Sequence, residues 1–584
     1  MRVARGVRAG FRSGLALTLA LGLGAAACKR SALPPRPDGA AVVVTVDAPS
    51  VEGDVAFTAE VEPNDTLAAA QKLGLGATPA VGITGQLHAG QGKSRDTDLY
   101  RLDVPSEAPG APPPVAVADG GMPGPRRRAL HVEVRPESTL AMGLELLDDQ
   151  GQPLAATGVG QPGEAMILPN LSVSPGAYLL RVRPDATAKP KAGPEGIPAS
   201  GGAYRLVARL GGPLEPGAEV EPNGKAAAAT ELAAPGEAVG YYGWRRDQDW
   251  YRVPTAGLAE GSVLGVDLEP APGVTASLVV FDSVEQKLTE SRGRKEERVS
   301  LRSVRVPTGE PYVYVVVRTD AGTNAETRYN LRLTAELPKA GGEVEPNDDP
   351  AHAQAVADVA EGGAATVAGY LGRGDVDVFR YTASVPVELD VEVVPPERLD
   401  LKLELLRPDG TVLAKADTGK RREPERLPNV FVPGGTALVR LTPAKGDGNT
   451  DEPYRLTIAA RPPEPGGERE PNDTIATPTA LPPGAVGSGL VAPRGDADFW
   501  AAAAAPDADG NVTVSVGGVP GLTLDVRVRA TAGKELGRFK IAGEGAPGAN
   551  TIATGGDPCC LIEVREATGK AANPRDRYSV AVGK

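Results

Sequence analysis

The chain has 584 residues, and its formal net charge at pH 7 is −13. A chain of this length predicts about four domains, each large enough to bury its own core without disulfides. The acidic balance disfavours nucleic acid and anionic membrane surfaces as partners, because both require clustered lysine and arginine.

Residues 1–27 are predicted to be a lipoprotein signal peptide. Four arginines between Arg2 and Arg12 precede an apolar run from Gly14 to Ala27, which is too short to span a bilayer. The segment Ala25-Ala26-Ala27-Cys28 resembles a bacterial lipobox, although Ala25 stands where that motif usually has leucine. Cys28 is therefore the predicted lipidation site. The alternative is an ordinary secretory signal cleaved after the same Ala-x-Ala.

We expect an exported protein that is lipid-anchored in the cell envelope, at the outer membrane or its periplasmic face, with surface exposure left open. Two or three acyl chains on Cys28 would hold it firmly to a membrane. Residues 28–58 are rich in proline, alanine and aspartate, which predicts a disordered tether. Removal of the signal peptide leaves 58 of the 62 basic residues against 75 acidic ones, a net charge of −17.

An acidic phrase, Glu60-Val-Glu62-Pro-Asn64-Asp65, recurs at residues 219–224, 343–348 and 468–473. A second phrase follows each copy, reading Asp96-Thr-Asp98-Leu-Tyr100 in the first case and recurring at 247–251, 375–379 and 496–500. Two linked phrases in a constant order predict one module repeated four times. The predicted domains are 59–211, with insertions at 105–128 and 184–202, then 219–336, 343–460 and 468–584.

Each module reads as β structure. Short β-rich runs are separated by Gly, Pro, Asp and Asn turns, as at Leu130–Val134 and Met142–Leu147. This pattern predicts an all-β fold of four tandem β-sandwich domains of jelly-roll type. Alternation after the second phrase predicts that its last residue faces inward in every module; these residues are Tyr100, Tyr251, Phe379 and Trp500. One or two helical turns are predicted over Thr66–Leu73.

The order of these motifs resembles the bacterial pre-peptidase C-terminal domain over about residues 60–582. The first repeat carries the whole set, namely Gly85, Asp96, Asp98, Tyr100, Gly176-Ala177-Tyr178 and Tyr204-Arg205-Leu206. The resemblance implies small β-sandwiches that assist a secreted peptidase with substrate binding or maturation. Here no peptidase precedes the modules, which makes a protease role unexpected.

Calcium is the predicted ligand of the acidic phrases, because it takes six to eight oxygen ligands from carboxylates and amides. The resemblance extends to the collagen-binding modules of clostridial collagenases, in which similar acidic residues hold calcium. It implies these sets: Glu60, Glu62, Asn64, Asp65, Asp96 and Asp98; Glu343, Glu345, Asn347, Asp348, Asp375 and Asp377; Glu468, Glu470, Asn472, Asp473, Asp496 and Asp498. The set Glu219, Glu221, Asn223, Asp247 and Asp249 has Gly224 in place of an aspartate, so calcium is doubtful there. The alternative is a helix cap followed by an Asp-x-Asp turn, without metal.

Enzyme motifs are missing from the sequence. His88, His131 and His352 stand in no metal-binding or nucleophile pattern. For Trp244, Trp250 and Trp500, core packing is favoured over a carbohydrate-stacking platform. For Cys559 and Cys560, a structural role is favoured over a disulfide, with Cys560 in the core and Cys559 on the opposite face.

The sequence therefore predicts a non-enzymatic envelope lipoprotein, attached to the membrane through its N-terminal lipid. Its calcium-stabilised modules would bind an unknown protein or polysaccharide, or serve as a spacer, and nucleic acid is not an expected partner. The alternative is an accessory, substrate-binding factor for a separate secreted peptidase or other hydrolase.

Overall fold

The computed structural model describes residues 55–75, 79–87, 96–106, 127–137, 141–158, 162–184, 202–214, 217–357, 362–444, 447–543 and 548–583. The predicted signal peptide, Cys28 and the tether up to residue 54 lie outside these ranges, as do most of the two predicted insertions. Within the described ranges, no helix combines the length and apolarity needed to span a bilayer.

The described chain is all-β, and its eight sheets pair into four sandwiches, as the sequence predicted. Sandwich 1 consists of β1 (Phe57–Ala59), β2 (Gln71–Leu73), β3 (Ala80–Gln86), β4 (Asp98–Val104), β5 (Arg128–Pro136), β6 (Met142–Asp148), β7 (Pro153–Ala156), β8 (Met166–Val173), β9 (Gly176–Pro184) and β10 (Ala203–Pro213). Sandwich 2 begins with a short 3-10 helix (Ala226–Ala228), followed by β11 (Thr230–Glu231), β12 (Gly236–Tyr242), β13 (Gln248–Pro254), β14 (Val263–Glu269), β15 (Thr275–Phe281), β16 (Lys287–Lys295), β17 (Val299–Arg305), β18 (Tyr312–Ala321) and β19 (Asn324–Glu336).

Sandwiches 3 and 4 repeat the same pattern of strands. Sandwich 3 consists of β20 (Gln354–Ala355), β21 (Ala364–Leu371), β22 (Asp377–Ala383), β23 (Val387–Val394), β24 (Leu401–Leu406), β25 (Val412–Ala416), β26 (Glu425–Val432), β27 (Gly435–Pro443) and β28 (Asn449–Arg461). Sandwich 4 consists of β29 (Thr479–Leu481), β30 (Val486–Val491), β31 (Ala497–Ala504), β32 (Asn511–Val516), β33 (Thr523–Ala530), β34 (Glu535–Ala542), β35 (Gly548–Ala553), β36 (Cys559–Glu566) and β37 (Asn573–Gly583).

The strand order is that of a jelly roll. In sandwich 3 the two sheets run β21-β28-β23-β26 and β20-β22-β27-β24-β25, and the other sandwiches follow the same order. Sandwich 1 has one further edge strand, β1, which pairs parallel with β3. The first strand of the second sheet is an extra edge strand that pairs parallel with its neighbour; the four are β2, β11, β20 and β29. Each acidic phrase precedes this edge strand and therefore crosses one end of the sandwich, from the first sheet to the second.

Each sandwich encloses its own core between the two sheets. The four aromatic residues predicted to face inward, Tyr100, Tyr251, Phe379 and Trp500, are all fully buried. In sandwich 2, β18 is the central strand of its sheet, and one face of it, Val313, Val315 and Val317, packs into the core. The alternating pattern thus predicted both the strands and the faces that they bury.

The prediction of helical turns over Thr66–Leu73 was wrong. Residues 67–69 form a turn, and Gln71–Leu73 form the edge strand β2, paired parallel with β4. Leu73 is buried in the core, so pairing with the sheet outweighs the local helix propensity of the alanines.

The three tryptophans lie in separate places and form no common platform. Trp500 is fully buried in the core of sandwich 4, and Trp250 stacks on Phe281 at 5.1 Å on the outer face of sandwich 2. Trp244 packs against the core of sandwich 1. Core packing, the favoured prediction, is therefore confirmed for Trp500.

The expectation for the cysteine pair needs correction. Cys559 and Cys560 are joined by a disulfide, and both side chains belong to the core of sandwich 4. The strict alternation of a strand predicted opposite faces for the two residues. The register of β36 shifts at Cys559 against both of its neighbouring strands, and both side chains lie in the core.

Candidate metal centre

The first glutamate of each acidic phrase is fixed beside the first strand of its jelly roll. In sandwich 3 the amide of Glu343 donates to the carbonyl of Ala368 at 2.9 Å, and its carboxylate accepts from the amide of Tyr370. The equivalent glutamates make the same two kinds of bond; they are Glu60, Glu219 and Glu468. Backbone pairing therefore points this carboxylate toward the end of the core.

A glycine makes room for that carboxylate. A Cβ atom added at Gly369 would overlap both the Glu343 carboxylate and the Tyr454 hydroxyl. Gly240 and Gly489 stand in the same relation to their own glutamate and tyrosine. At Gly85 the added atom would meet Tyr204. The glycine that precedes the second phrase is thus part of the site.

Three carboxylates meet in every sandwich. The two glutamates of the first phrase and the second aspartate of the second phrase bring oxygen atoms within 4.8 Å of one another. We call these sets the triads; they are Glu60, Glu62 and Asp98; Glu219, Glu221 and Asp249; Glu343, Glu345 and Asp377; Glu468, Glu470 and Asp498. In sandwich 1, Asp65, Asp96 and Asp98 form a further group of the same kind.

The two aspartates of the second phrase have different positions. Asp377 begins β22 and points inward with no exposed surface, beside the core residue Phe379. Asp375 lies in the turn before the strand, where its carboxylate accepts from the amide of Gly372 at 2.9 Å. Asp247 and Asp496 close the corresponding turns of sandwiches 2 and 4. The first aspartate of the second phrase therefore closes a turn, as the alternative without metal predicted. The second aspartate belongs to the triad.

The asparagine of each phrase holds the second glutamate in place rather than capping a helix. The amide of Asn347 donates to the Glu345 carboxylate at 3.0 Å, and its carbonyl accepts from the amide of Val378 at 2.9 Å. The same pair of bonds recurs at the other three copies, Asn64, Asn223 and Asn472. All four asparagines are fully buried.

The position that differs in the second repeat is a peripheral one. Asp348 and Asp473 are exposed, as are Asp65 and Gly224 at the same place in the phrase. Sandwich 2 nevertheless brings Glu219, Glu221 and Asp249 together, and all three are buried. Weaker calcium binding by this repeat stays a prediction.

Sequence reasoning gave no role to the tyrosine of the last strand. The Tyr454 hydroxyl donates to Asp377 at 2.5 Å, and the Tyr329 hydroxyl donates to Asp249 at 2.7 Å. Tyr204 bonds Asp98 in the same way. In sandwich 4 the Tyr578 hydroxyl accepts from the Trp500 indole at 2.7 Å. A tyrosine followed two residues later by an aliphatic residue, Leu in the first three repeats and Val580 in the fourth, was the signal that could have indicated this role.

Burial raises the pKa of the triad carboxyls in sandwiches 2, 3 and 4, and that of Glu62 and Asp98 in sandwich 1. Desolvation is the main cause, and the neighbouring carboxylates add to it: the pKa of Glu343 rises to about 8 and that of Asp98 to about 9. The pKa of Glu221 rises to about 7, for the same main reason. For Asp249 and Asp377 the pKa lies well above the ordinary aspartate value. In the absence of a cation, these sites therefore retain protons near neutral pH.

Several buried triad oxygens are not reached by any hydrogen-bond donor of the described residues. They include Oε1 of Glu219 and of Glu221, and Oδ1 of Asp98 and of Asp377. A buried carboxylate oxygen without a donor is costly, because it has lost water and gained nothing in return. A hard divalent cation bound by such oxygens would satisfy them. The residues present therefore fit a metal ion.

His131 and His352 take no part in these sites. His131 is half-buried on β5, where desolvation lowers its pKa to about 4, and His352 lies on the surface beside Asp349. His88 lies outside the described residues.

Comparison with known proteins gives no assignment of family. No protein-family model and no curated protein matches the sequence. Solved structures with which it aligns include the M60 catalytic domain of Clostridium perfringens ZmpB with its CBM51-1 and CBM51-2 domains (9% identity, 43% of this chain and 34% of that one, TM-score 0.13). Another is the CUB1-EGF-CUB2 region of human MASP-1/3 (9% identity, 43% of this chain and 99% of that one, TM-score 0.13). The match spans about a third of the first structure's length, and the pre-peptidase resemblance stays a prediction.

Proposed function

We propose that the chain is a non-enzymatic, exported envelope lipoprotein whose four sandwiches each bind a divalent cation, calcium by its preference for oxygen. The observation that carries this proposal is the recurrence of one carboxylate triad, with buried oxygens that lack donors, at the same end of all four sandwiches. The triads of sandwiches 2, 3 and 4 are buried, and in sandwich 1 Asp98 is buried while Glu62 is exposed. Carboxylate and amide oxygens are the ligands that calcium takes in proteins. The proposal includes sandwich 2, because its triad is complete without the aspartate that Gly224 replaces.

The cation would also stabilise the junctions between sandwiches. In sandwich 3 the amide of Glu345 donates to Ser303 of sandwich 2 at 3.0 Å, and its carbonyl accepts from Arg305 at 2.8 Å. Glu221 pairs likewise with Asn170 and Ser172 of sandwich 1. The second glutamate of the phrase therefore belongs to a triad through its side chain and to the preceding sandwich through its backbone.

The preceding sandwich presents an unusual backbone conformation at each of these contacts. Asn170, Ser303 and Asn429 have φ values of 48°, 53° and 43°, in the left-handed region, and each interrupts the register of its strand. The Asn429 side chain also donates to Glu468 at 2.7 Å. Metal binding that fixes the glutamates would therefore order the junction as well, which suits modules held in a fixed row.

The work proposed for this row is to present binding surfaces for a protein or polysaccharide at the envelope, or to act as a spacer. The acidic surface and the membrane attachment proposed through Cys28 support that role. If the junctions between the four sandwiches are ordered, the outermost sandwich stays at a fixed distance from the lipid. Bound calcium would order these junctions.

Hydrogen exchange at the junction strands tests this function. In the mature chain from Cys28, calcium at about 1 mM should slow amide exchange at Ser172, Arg305 and Phe431 by about ten-fold or more relative to chelator, because these amides bond the metal-binding phrase. The amide of Val279, in the middle of the sheet of sandwich 2, serves as control and should change little. Equal exchange in calcium and chelator at all three junctions would contradict a metal-ordered row.

A further inference from the structure

The three junctions between sandwiches differ at one equivalent position. In the turn closed by the first aspartate of the second phrase, the amides of Gly243, Gly372 and Ala492 donate to that aspartate. The next residue is Trp244 in sandwich 2, Arg373 in sandwich 3 and Pro493 in sandwich 4. It faces the preceding sandwich in each case.

Two of these residues extend to the preceding sandwich. Trp244 packs against the core of sandwich 1 and lies directly over Gly158. The guanidinium of Arg373 reaches toward Glu297 of sandwich 2, at 3.9 Å, and the space near Tyr370 in this junction is only about 10 Å³. Pro493 is shorter than either, and a cavity of about 430 Å³ remains beside it, between sandwiches 3 and 4. This volume is in the range of a small-ligand site.

One side of the cavity is the metal centre itself. Glu470 of the sandwich 4 triad lines it, together with Asp473 and Asp496. A cation held by the triad would therefore border the cavity through Glu470, and the free space would let a ligand oxygen approach it.

The opposite side supplies a positive charge and an aliphatic wall. Lys415 lines the cavity from β25, is exposed, and makes no ion pair with any described residue. Two other cations there are engaged, since Lys402 pairs with Glu404 at 2.6 Å and Arg494 donates to the carbonyl of Thr418 at 2.8 Å. Leu413, Leu427 and Val430 form the wall.

We propose that this cavity binds the carboxylate of a peptide, with the triad cation and the Lys415 ammonium on the carboxylate and the aliphatic wall on its carbon chain. The inference rests on the proposed function, because it needs a cation at the triad. A carboxylate can bind a divalent cation and an ammonium group at the same time. The wall includes no aromatic ring on which a sugar would stack, which favours a peptide over an acidic glycan.

Ligand-observed NMR on the full mature chain tests this. The probes are N-acetyl-glutamate methylamide and the uncharged N-acetyl-glutamine methylamide, each in calcium and in chelator. The glutamate probe should bind in calcium and should bind about ten-fold more weakly in chelator. In each of the two conditions, the glutamine probe should bind about ten-fold more weakly than the glutamate probe. Equal binding of the two probes would overturn the proposal, as would galacturonate displacing the glutamate probe while binding more tightly.

Two variants locate the binding. Pro493→Trp introduces the residue that fills the first junction, and Lys415→Glu reverses the free charge; each should reduce binding of the glutamate probe about ten-fold or more. Lys339→Glu, at a surface lysine outside the cavity, is the matched control and should bind as the parent does. Unchanged binding by Pro493→Trp would place the probe elsewhere and overturn the proposal.

The bound calcium is counted calorimetrically in the same samples. If the parent binds its ions but not the probe, the cavity inference fails and the proposed metal function stands. If no ions bind, the proposed function fails, and the cavity inference fails with it.

Discussion

In the absence of calcium, the free energy of unfolding is expected to fall as the pH rises from about 5 to about 8. The triad carboxyls have a raised pKa in the folded protein, about 7 for Glu468 and about 8 for Glu343 and Glu470, against about 4.3 for an unfolded glutamate. Between those values the native state holds more protons than the unfolded state, so stability decreases with increasing pH. Each such carboxyl contributes up to about 1.4 kcal/mol per pH unit, and the loss from these three together should be on the order of 10 kcal/mol.

Calcium should offset part of that loss. A cation takes the place of the protons and stabilises the ionised triads, so its stabilising effect grows as the pH rises through about 7. At pH 7.5, an ion with a dissociation constant near 0.1 mM would add about 1.4 kcal/mol per site at 1 mM calcium. Denaturant unfolding at pH 5, 6, 7 and 8, in metal-free buffer and in calcium, measures both effects.

Parallel pH profiles in the two buffers would contradict this account. A profile in metal-free buffer that rises with pH would also contradict it, since that is the behaviour of carboxylates paired with cationic side chains. Asp525 is such a group: contacts with Arg538, Arg527 and Arg565 hold its pKa below the usual value despite its burial. The contribution of Asp525 to the free energy of unfolding is lost only as the pH falls through that lowered pKa, which lies below the range from pH 5 to pH 8.

Substitution of Asp377 by asparagine is expected to have two opposite effects. Loss of a charged ligand should remove calcium binding by sandwich 3, with an affinity lower by about a hundred-fold or more. In metal-free buffer at pH 8, the same variant should be more stable than the parent by about 1–3 kcal/mol, because an amide replaces a buried carboxyl that must either keep its proton at a cost or ionise next to Glu343 and Glu345. The Tyr454 hydroxyl can still donate to the amide oxygen.

Peptide-resolved hydrogen exchange of sandwich 3, with and without calcium, distinguishes the two effects. Glu452→Gln is the matched control, because Glu452 is an exposed carboxylate on β28 of the same sandwich. It should leave both calcium binding and stability unchanged. An Asp377→Asn protein that is destabilised in metal-free buffer and protected by calcium as well as the parent would exclude a metal at this triad.

The repeated phrases were enough to predict the four sandwiches, the inward aromatic residues and the jelly-roll order, because alternation and turn residues are local signals. They also included the residues of the triads, because Glu343 and Glu345 are two positions apart and can point the same way in an extended segment. The different roles of Asp375 and Asp377 could not be predicted. Their spacing suggests one face of a strand, but the strand begins only at Asp377.

The junction contacts were also beyond sequence reasoning. They depend on single residues with positive φ in the preceding sandwich. A single residue of this kind does not change the periodic pattern of apolar residues in the sequence. Asparagine is one of the few residues that tolerate this conformation, so Asn170 and Asn429 were weak signals, but Ser303 gave none. The support from Tyr454 was missed for a similar reason, because a tyrosine on a buried face of a strand reads as core.

The most direct test of the account is the number of calcium ions bound by the mature chain, measured by isothermal titration calorimetry and checked by native mass spectrometry. One triad in each of the four sandwiches predicts four ions per chain, with an affinity that increases and a proton release per ion that decreases between about pH 6 and pH 8. Three ions would restrict the account to sandwiches 1, 3 and 4, in keeping with the glycine at position 224. No bound ion at about 1 mM calcium would contradict it, and the triads would then be clusters of protonated carboxyl groups.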